Sequence, residues 1–364
     1  MRRMLPALAL VALAGCRCDT VPGNALVSCQ STQVLPASVQ TDILFVIDDS
    51  SSMSEEQANL AANLDAFIDT LAASPVENDF RIGVTDSSIT DFNGATKYAG
   101  GPSQGVPFPA GALVAVANNS PGKLIYDATT YASTAGWGGN RILDKGSPTL
   151  VADFKNNVRV GISGSGKEQP FRAARLALTD RLADANAGFL RDGARLAVII
   201  LSDADDCSNS GSPDITSNAG CDTPGNPGFD PVQGFADFLR GPVGGELRDV
   251  AVGAIAGLDP ASLQPSCGNS AICSDRACST AEAPGIRYVA LAGIMGSQRM
   301  QLGSICDASF HDSLQRFAAT LTPDTLPLAS VPADWRMLVV SITKTDGAVV
   351  ACKVGHQGDA DQNT

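Results

Sequence analysis

Short unbroken apolar runs alternate along this chain with longer segments in which apolar residues recur every three to four positions. Ile43–Ile47 is β-branched and uninterrupted, as a strand buried on both faces of a parallel sheet reads. A helical pattern follows from Glu55 through Leu60, Leu64, Phe67, Ile68 and Leu71. Phe80–Thr85 is a second strand, and Arg195–Leu201 is the clearest strand in the chain. Further helices are predicted at Gln169 to about Ala183, Val232–Arg240 and Leu314–Leu321, and further strands at Asp249–Ile255 and Arg287–Ala292. Strands and helices in alternation close a parallel sheet through right-handed crossovers. The expected fold is therefore a doubly wound, mostly parallel α/β sheet with helices on both faces.

Three stretches depart from this rhythm. From Asp91 to about Leu150 the pattern dissolves into Gly, Pro, Asn and Thr, which marks an insertion with short strands of its own near Leu113–Ala117 and Lys123–Tyr126. Beyond Pro323, Arg336–Lys344 and Ala348–Val354 flank Asp346-Gly347, a strong hairpin signal, before a polar tail from His356. At the other end, Arg2 and Arg3 precede an apolar segment, Met4–Leu13, too short to span a bilayer. Leu13-Ala14-Gly15-Cys16 resembles a bacterial lipobox, which implies cleavage before Cys16 and lipidation of its thiol. The expected organisation is a signal peptide over 1–15, a tether over 16–40, a sheet domain over 41–322 and a hairpin region over 323–364. Such a chain is anchored to a membrane rather than embedded in it. Its expected place is the cell envelope, at the outer membrane, facing the periplasm or the exterior.

Composition narrows the function. Hydrophobic residues make up 44% of the 364, enough for a real core, and the net charge is −13. No basic run appears, which argues against nucleic acid as a partner, whereas an acidic surface suits cations. Setting Cys16 aside, nine of the ten cysteines remain, an odd number for an oxidising compartment. Cys207, Cys221, Cys267, Cys273, Cys278 and Cys306 are the disulfide candidates, with Cys207–Cys221 the most local pairing and the connectivity otherwise open. The Cys-rich segment 267–278 lacks the paired short spacing of a zinc site and has no His beside it. The two histidines, His311 and His356, lie late in the chain, with no His-Glu-x-x-His and no Gly-x-Ser-x-Gly elbow, so an enzyme is not expected. Gly161-x₄-Gly166-Lys167 nearly matches a phosphate-binding loop, but Glu168 stands where a hydroxyl is required.

The chemistry gathers at strand ends. Ile43–Ile47 runs into Asp48-x-Ser50-x-Ser52, at the carboxyl edge where open α/β sheets place ligands. One reading is a pair of side-chain turns and a helix cap. The other is a Mg²⁺ site, since small hard oxygens suit that ion. Arg195–Leu201 likewise ends in Ser202-Asp203-Ala204-Asp205-Asp206. Two buried strands that each end in aspartate at one sheet edge resemble the metal-ion-dependent adhesion site of von Willebrand factor type A domains. The likeness covers most of Thr41–Leu321, and the order of loops and insertions is similar to that of type A lipoproteins from Gram-negative soil bacteria such as myxobacteria.

The resemblance implies that Ser50, Ser52 and a loop hydroxyl bind Mg²⁺ or Mn²⁺ directly, with Asp48 and Asp203 bound directly or through water. An open coordination position would then accept a carboxylate from a partner protein. The family draws its third hydroxyl from a loop threonine, which Gly161–Glu168 lacks; Ser165 is the first substitute, Ser163 the second, and Glu168 either reaches the ion or favours the helix N-terminus. Asp205 and Asp206 are either further ligands, for Ca²⁺, or solvated loop acids. The expectation is a lipid-anchored adhesion module that binds acidic groups on a partner protein. The alternatives are a structural envelope lipoprotein with a silent metal site and a metal-dependent hydrolase.

Overall fold

The computed structural model describes residues 38–74, 77–89, 110–116, 140–162, 164–209, 228–266 and 275–322, with short paired strands at 17–18, 29–30, 126–127, 132–133, 340–343 and 349–352. Ala37–Asp324 forms one compact unit. In chain order its main elements are β1 (Ser38–Ile47), α1 (Ser54–Ala72), β2 (Glu77–Asp86), β3 (Ile142–Asp144), α2 (Leu150–Asn157), α3 (Pro170–Ala177), β4 (Arg195–Leu201), α4 (Val232–Arg240), β5 (Val250–Ala256), α5 (Ile286–Met295), β6 (Met300–Ser304) and α6 (His311–Leu321). The strands make one six-stranded sheet in the order β6-β5-β4-β1-β2-β3. Only the β2–β3 pair is antiparallel. This is the doubly wound α/β arrangement that both the alternation and the type A resemblance lead one to expect.

The unbroken apolar runs have a direct cause. Ile43, Phe45 and Ile47 of β1 point to one face, where α1, α2 and α6 supply Leu64, Phe67, Phe154 and Phe317. Leu44 and Val46 point to the other, where α3, α4 and α5 supply Phe171, Phe235, Leu239, Tyr288 and Leu291. With both faces covered, no position from Ile43 to Ile47 is left for a polar residue. Phe45 sets its ring edge-on against Phe67 at 5.4 Å and Phe154 at 4.9 Å, which ties the strand to α1 and α2. Register then aligns the strand ends: Ile47 lies opposite Leu201 on one side and Asp86 on the other. The loops after β1, β2 and β4 therefore leave the sheet at one level.

Several expectations need correction. Arg287–Ala292 belongs to the helix α5, and the strand follows it at β6. Tyr288, Leu291 and Met295 are buried at helical spacing, a pattern that a short apolar run does not distinguish from a strand. The helix predicted over Gln169–Ala183 stops at Ala177, with a separate 3₁₀ turn at Asp180–Ala183. Leu113–Ala115 is buried beside β2, with the Val114 N–H bonded to the Val84 carbonyl at 2.8 Å, but is not a regular strand. Tyr126–Asp127 pairs with Ala132–Ser133, and the rest of the insertion from 117 to 139 lies outside the described residues, as does 90–109. So do most of the leader and tether. In the second unit, Val340–Thr343 pairs antiparallel with Val349–Cys352, as the Asp346-Gly347 signal predicts, the turn itself being outside the described residues. Among the described residues no helix is long and apolar enough to cross a membrane.

Candidate metal centre

β1 and β4 are joined past their ends by the Asp48 N–H, which donates to the Leu201 carbonyl at 2.9 Å. Asp48 is fully buried. Its Oδ1 accepts the Ser50 N–H at 2.8 Å and its Oδ2 accepts the Ser202 hydroxyl at 2.6 Å. The side-chain turn considered for this loop is thus present, and it holds the carboxylate in place. The Ser50 and Ser52 hydroxyls stand 3.2 Å apart, Ser50 buried and Ser52 exposed.

Gln57, on the first turns of α1, locks this loop to the next. Its Nε2 donates to the carbonyls of Asp48 (2.9 Å) and Gly161 (2.8 Å), and its Oε1 accepts the Gly161 N–H at 3.3 Å. Gly161 sits at φ 103°, in the region glycine tolerates. Gln57→Ala leaves buried backbone groups unmet and is expected to cost about 1–3 kcal/mol in urea denaturation. Across the loop, Asp49 is buried and anchors Gly164 and Ser88: Gly164 N–H donates to its carbonyl at 2.6 Å, and the Ser88 hydroxyl to its Oδ1 at 2.5 Å. A Cβ at Gly164 would overlap the Asp49 carboxylate, so only glycine seats this turn. Ser165 is buried on the same side; its N–H donates to Ser88 Oγ at 2.9 Å and its Oγ accepts the Lys167 N–H at 3.1 Å. Ser163 lies outside the described residues.

Asp203 differs from Asp48. It is fully buried, and neither carboxylate oxygen has a hydrogen-bond partner. The Ser52 hydroxyl stands near enough to favour the charged form without completing a hydrogen bond to it. Its backbone carbonyl accepts the N–H groups of Glu282 (2.8 Å) and Ala283 (3.0 Å), in a segment that the Cys278–Cys306 disulfide ties down. Cys207 is also disulfide-bonded, while Cys221, Cys267 and Cys273 lie outside the described residues.

The electrostatics follow from this packing. Burial, and then the negative charge of Asp203, pushes the Asp48 carboxyl up to about 7. Burial raises Asp203 to about 6, with Glu56 and Glu282 adding to the rise and Ser52 opposing it. Glu168 is buried as well, and burial followed by Asp48 drives it well above the usual carboxylate range. The edge of the sheet thus concentrates negative charge away from water.

The sequence-predicted residues sort into two groups. Asp48, Ser50, Ser52 and Asp203 come together, with Glu168 close enough to feel their charge. Asp206 is fully buried and paired with Arg287 at 3.0 Å, and it also accepts the Phe171 N–H and the Ser208 hydroxyl. Asp205 accepts the Arg287 N–H at 2.9 Å. Sequence reasoning missed Asp49, Gln57, Ser88 and Ser202. Of these only Asp49 and Ser202 gave a signal, by flanking the two aspartates on their loops. Among the described residues no three Asp, Glu, His or Cys side chains converge as a metal-holding group.

No family model and no curated protein matches the chain. Among solved structures it is similar to proximal thread matrix protein 1 from the mussel byssus, at 14% identity and a TM-score of 0.37 over 79% of this chain and 48% of that one. The same protein with a zinc occupied MIDAS motif gives 13%, 0.38, 79% and 49%. The pilus adhesin RrgA from Streptococcus pneumoniae gives 13% and 0.21 over 45% of this chain and 20% of that one. The chain thus spans about half the length of the mussel protein or less of the adhesin. At these levels of similarity the site's own residues decide its chemistry.

Proposed function

We propose that this chain is a type A domain of the von Willebrand kind whose sheet edge holds one divalent cation, Mg²⁺ or Mn²⁺, and through it binds an acidic group on a partner protein. The observation that carries this is Asp203: a fully buried carboxylate with both oxygens unmet by any hydrogen-bond donor. A buried polar group without a partner costs free energy, and a buried charge costs more. A bound cation removes that cost, and the donor set around it is the hard-oxygen set such an ion prefers. Asp203 and Asp48 would hold the ion with the Ser50 and Ser52 hydroxyls, and Ser165 would complete the set. When bound, the cation supplies a positive centre that a partner's carboxylate satisfies. Ser52, exposed beside buried Ser50, would face such a partner. The chain's own groups bind and orient without turnover. Lipidation at Cys16 would display the module on the cell envelope.

Titration of metal-stripped protein with Mn²⁺, followed by the resonance signal of the free ion, tests the reading. One site per chain is expected, lost in Asp203→Ala, and acetate should perturb the bound-ion signal as a surrogate for the acidic partner. Wild-type protein that leaves all the Mn²⁺ free contradicts it.

A further inference from the structure

We propose that Ser202 is a positioning residue for the cation site, its hydroxyl fixing the plane of the Asp48 carboxylate from the neighbouring strand. This rests on the cation reading above and adds a residue that touches no ion. Ser202 is fully buried, one position past the end of β4, and its N–H is anchored to the Ile255 carbonyl of β5 at 3.1 Å. From there its Oγ donates to Asp48 Oδ2 at 2.6 Å, close to the short end of hydroxyl–carboxylate distances. The opposite oxygen of the same carboxylate accepts the Ser50 N–H at 2.8 Å. One donor therefore comes from Asp48's own loop and the other from across the sheet, and together they leave the carboxylate no rotation about its Cβ–Cγ bond.

The Ser202 hydroxyl is itself oriented. Its oxygen also accepts the Ala204 N–H at 3.2 Å, and the Ala204 carbonyl lies 3.1 Å away. The same short loop thus carries Asp203, with its two unmet oxygens, and the group that sets Asp48. A shift of the β4 loop would therefore disturb both carboxylates at once. Groups that orient a ligand without touching the ion typically carry a substantial part of the affinity.

The experiment compares Mn²⁺ dissociation constants of wild-type protein, Ser202→Ala and Ser202→Thr, alongside their metal-free unfolding midpoints. Ser202→Ala is expected to weaken Mn²⁺ binding about 10- to 100-fold, and Ser202→Thr, which keeps the hydroxyl, to restore it to within a few-fold of wild type. Equal Mn²⁺ affinity in wild type and Ser202→Ala overturns the proposal while leaving the cation site standing. So does a Thr variant as weak as the Ala variant with an unchanged midpoint, because the hydroxyl would then not be the cause. Wild-type protein that binds no Mn²⁺ refutes the underlying cation reading instead.

Discussion

Asp203→Asn is expected to make the metal-free protein more stable, by about 3 kcal/mol near pH 8, while removing most of its response to divalent cations. Most substitutions of a buried residue do the reverse. The sign follows from burial: the carboxyl titrates at about 6 in the folded chain against a usual 3.8, so at neutral pH folding holds a charge that the interior disfavours. The amide has nearly the same shape, carries no charge and repels neither Asp48 nor Glu56. Urea denaturation in excess chelator, compared with denaturation in excess Mg²⁺, measures both halves. Asp203→Asn that is clearly destabilised in chelator would show that the carboxylate supports the fold rather than an ion.

The metal-free protein should also lose stability as pH rises from about 4 to about 7, on the order of 7 kcal/mol from Asp48 and Asp203 together. The direction is fixed by the two raised values, about 7 and about 6. Well below the usual 3.8 both groups are protonated folded and unfolded, and neither contributes. Through the window the unfolded chain releases protons that the folded chain retains, so the unfolded state gains. Above about 7 the full penalty is in place. Mg²⁺ favours the charged carboxylates and reverses the trend. The gap between the denaturation curves with and without Mg²⁺ should therefore widen from pH 5 to pH 8, a comparison in which groups remote from the site cancel. A constant gap would exclude these two groups as the site of binding.

The two aspartates were legible because a run buried on both faces has to end somewhere, and at β1 and β4 the first residues past the sheet are Asp48 and Ser202-Asp203. Parallel register, itself implied by the strand–helix alternation, brings those ends level. What stayed hidden is what reaches across from elsewhere. Gln57 sits among the polar positions of α1 and shows nothing in its neighbourhood of its bonds to Gly161, 104 residues on. Ser202 stands beside the aspartate on its loop, but nothing there shows its bond to Asp48, which spans 154 residues. For Asp206 the sequence left open a further Ca²⁺ ligand or a solvated loop acid, and its partner, Arg287, lies 81 residues on, on a helix. It is a buried acid paired with that arginine. Linear spacing conveys which face a residue occupies; it does not convey which distant group meets it there.

The claim that Asp48 and Asp203 jointly hold one divalent cation is tested most directly by thermal unfolding of metal-stripped protein titrated with Mg²⁺, Mn²⁺ and Ca²⁺. A ligand that binds only the folded chain stabilises it by about 2.7 kcal/mol at a hundredfold excess over its dissociation constant. The expected result is a midpoint that climbs with cation in the wild type and stays level in both Asp48→Ala and Asp203→Ala. A midpoint that no cation moves, or one that climbs equally in the two variants, would contradict it.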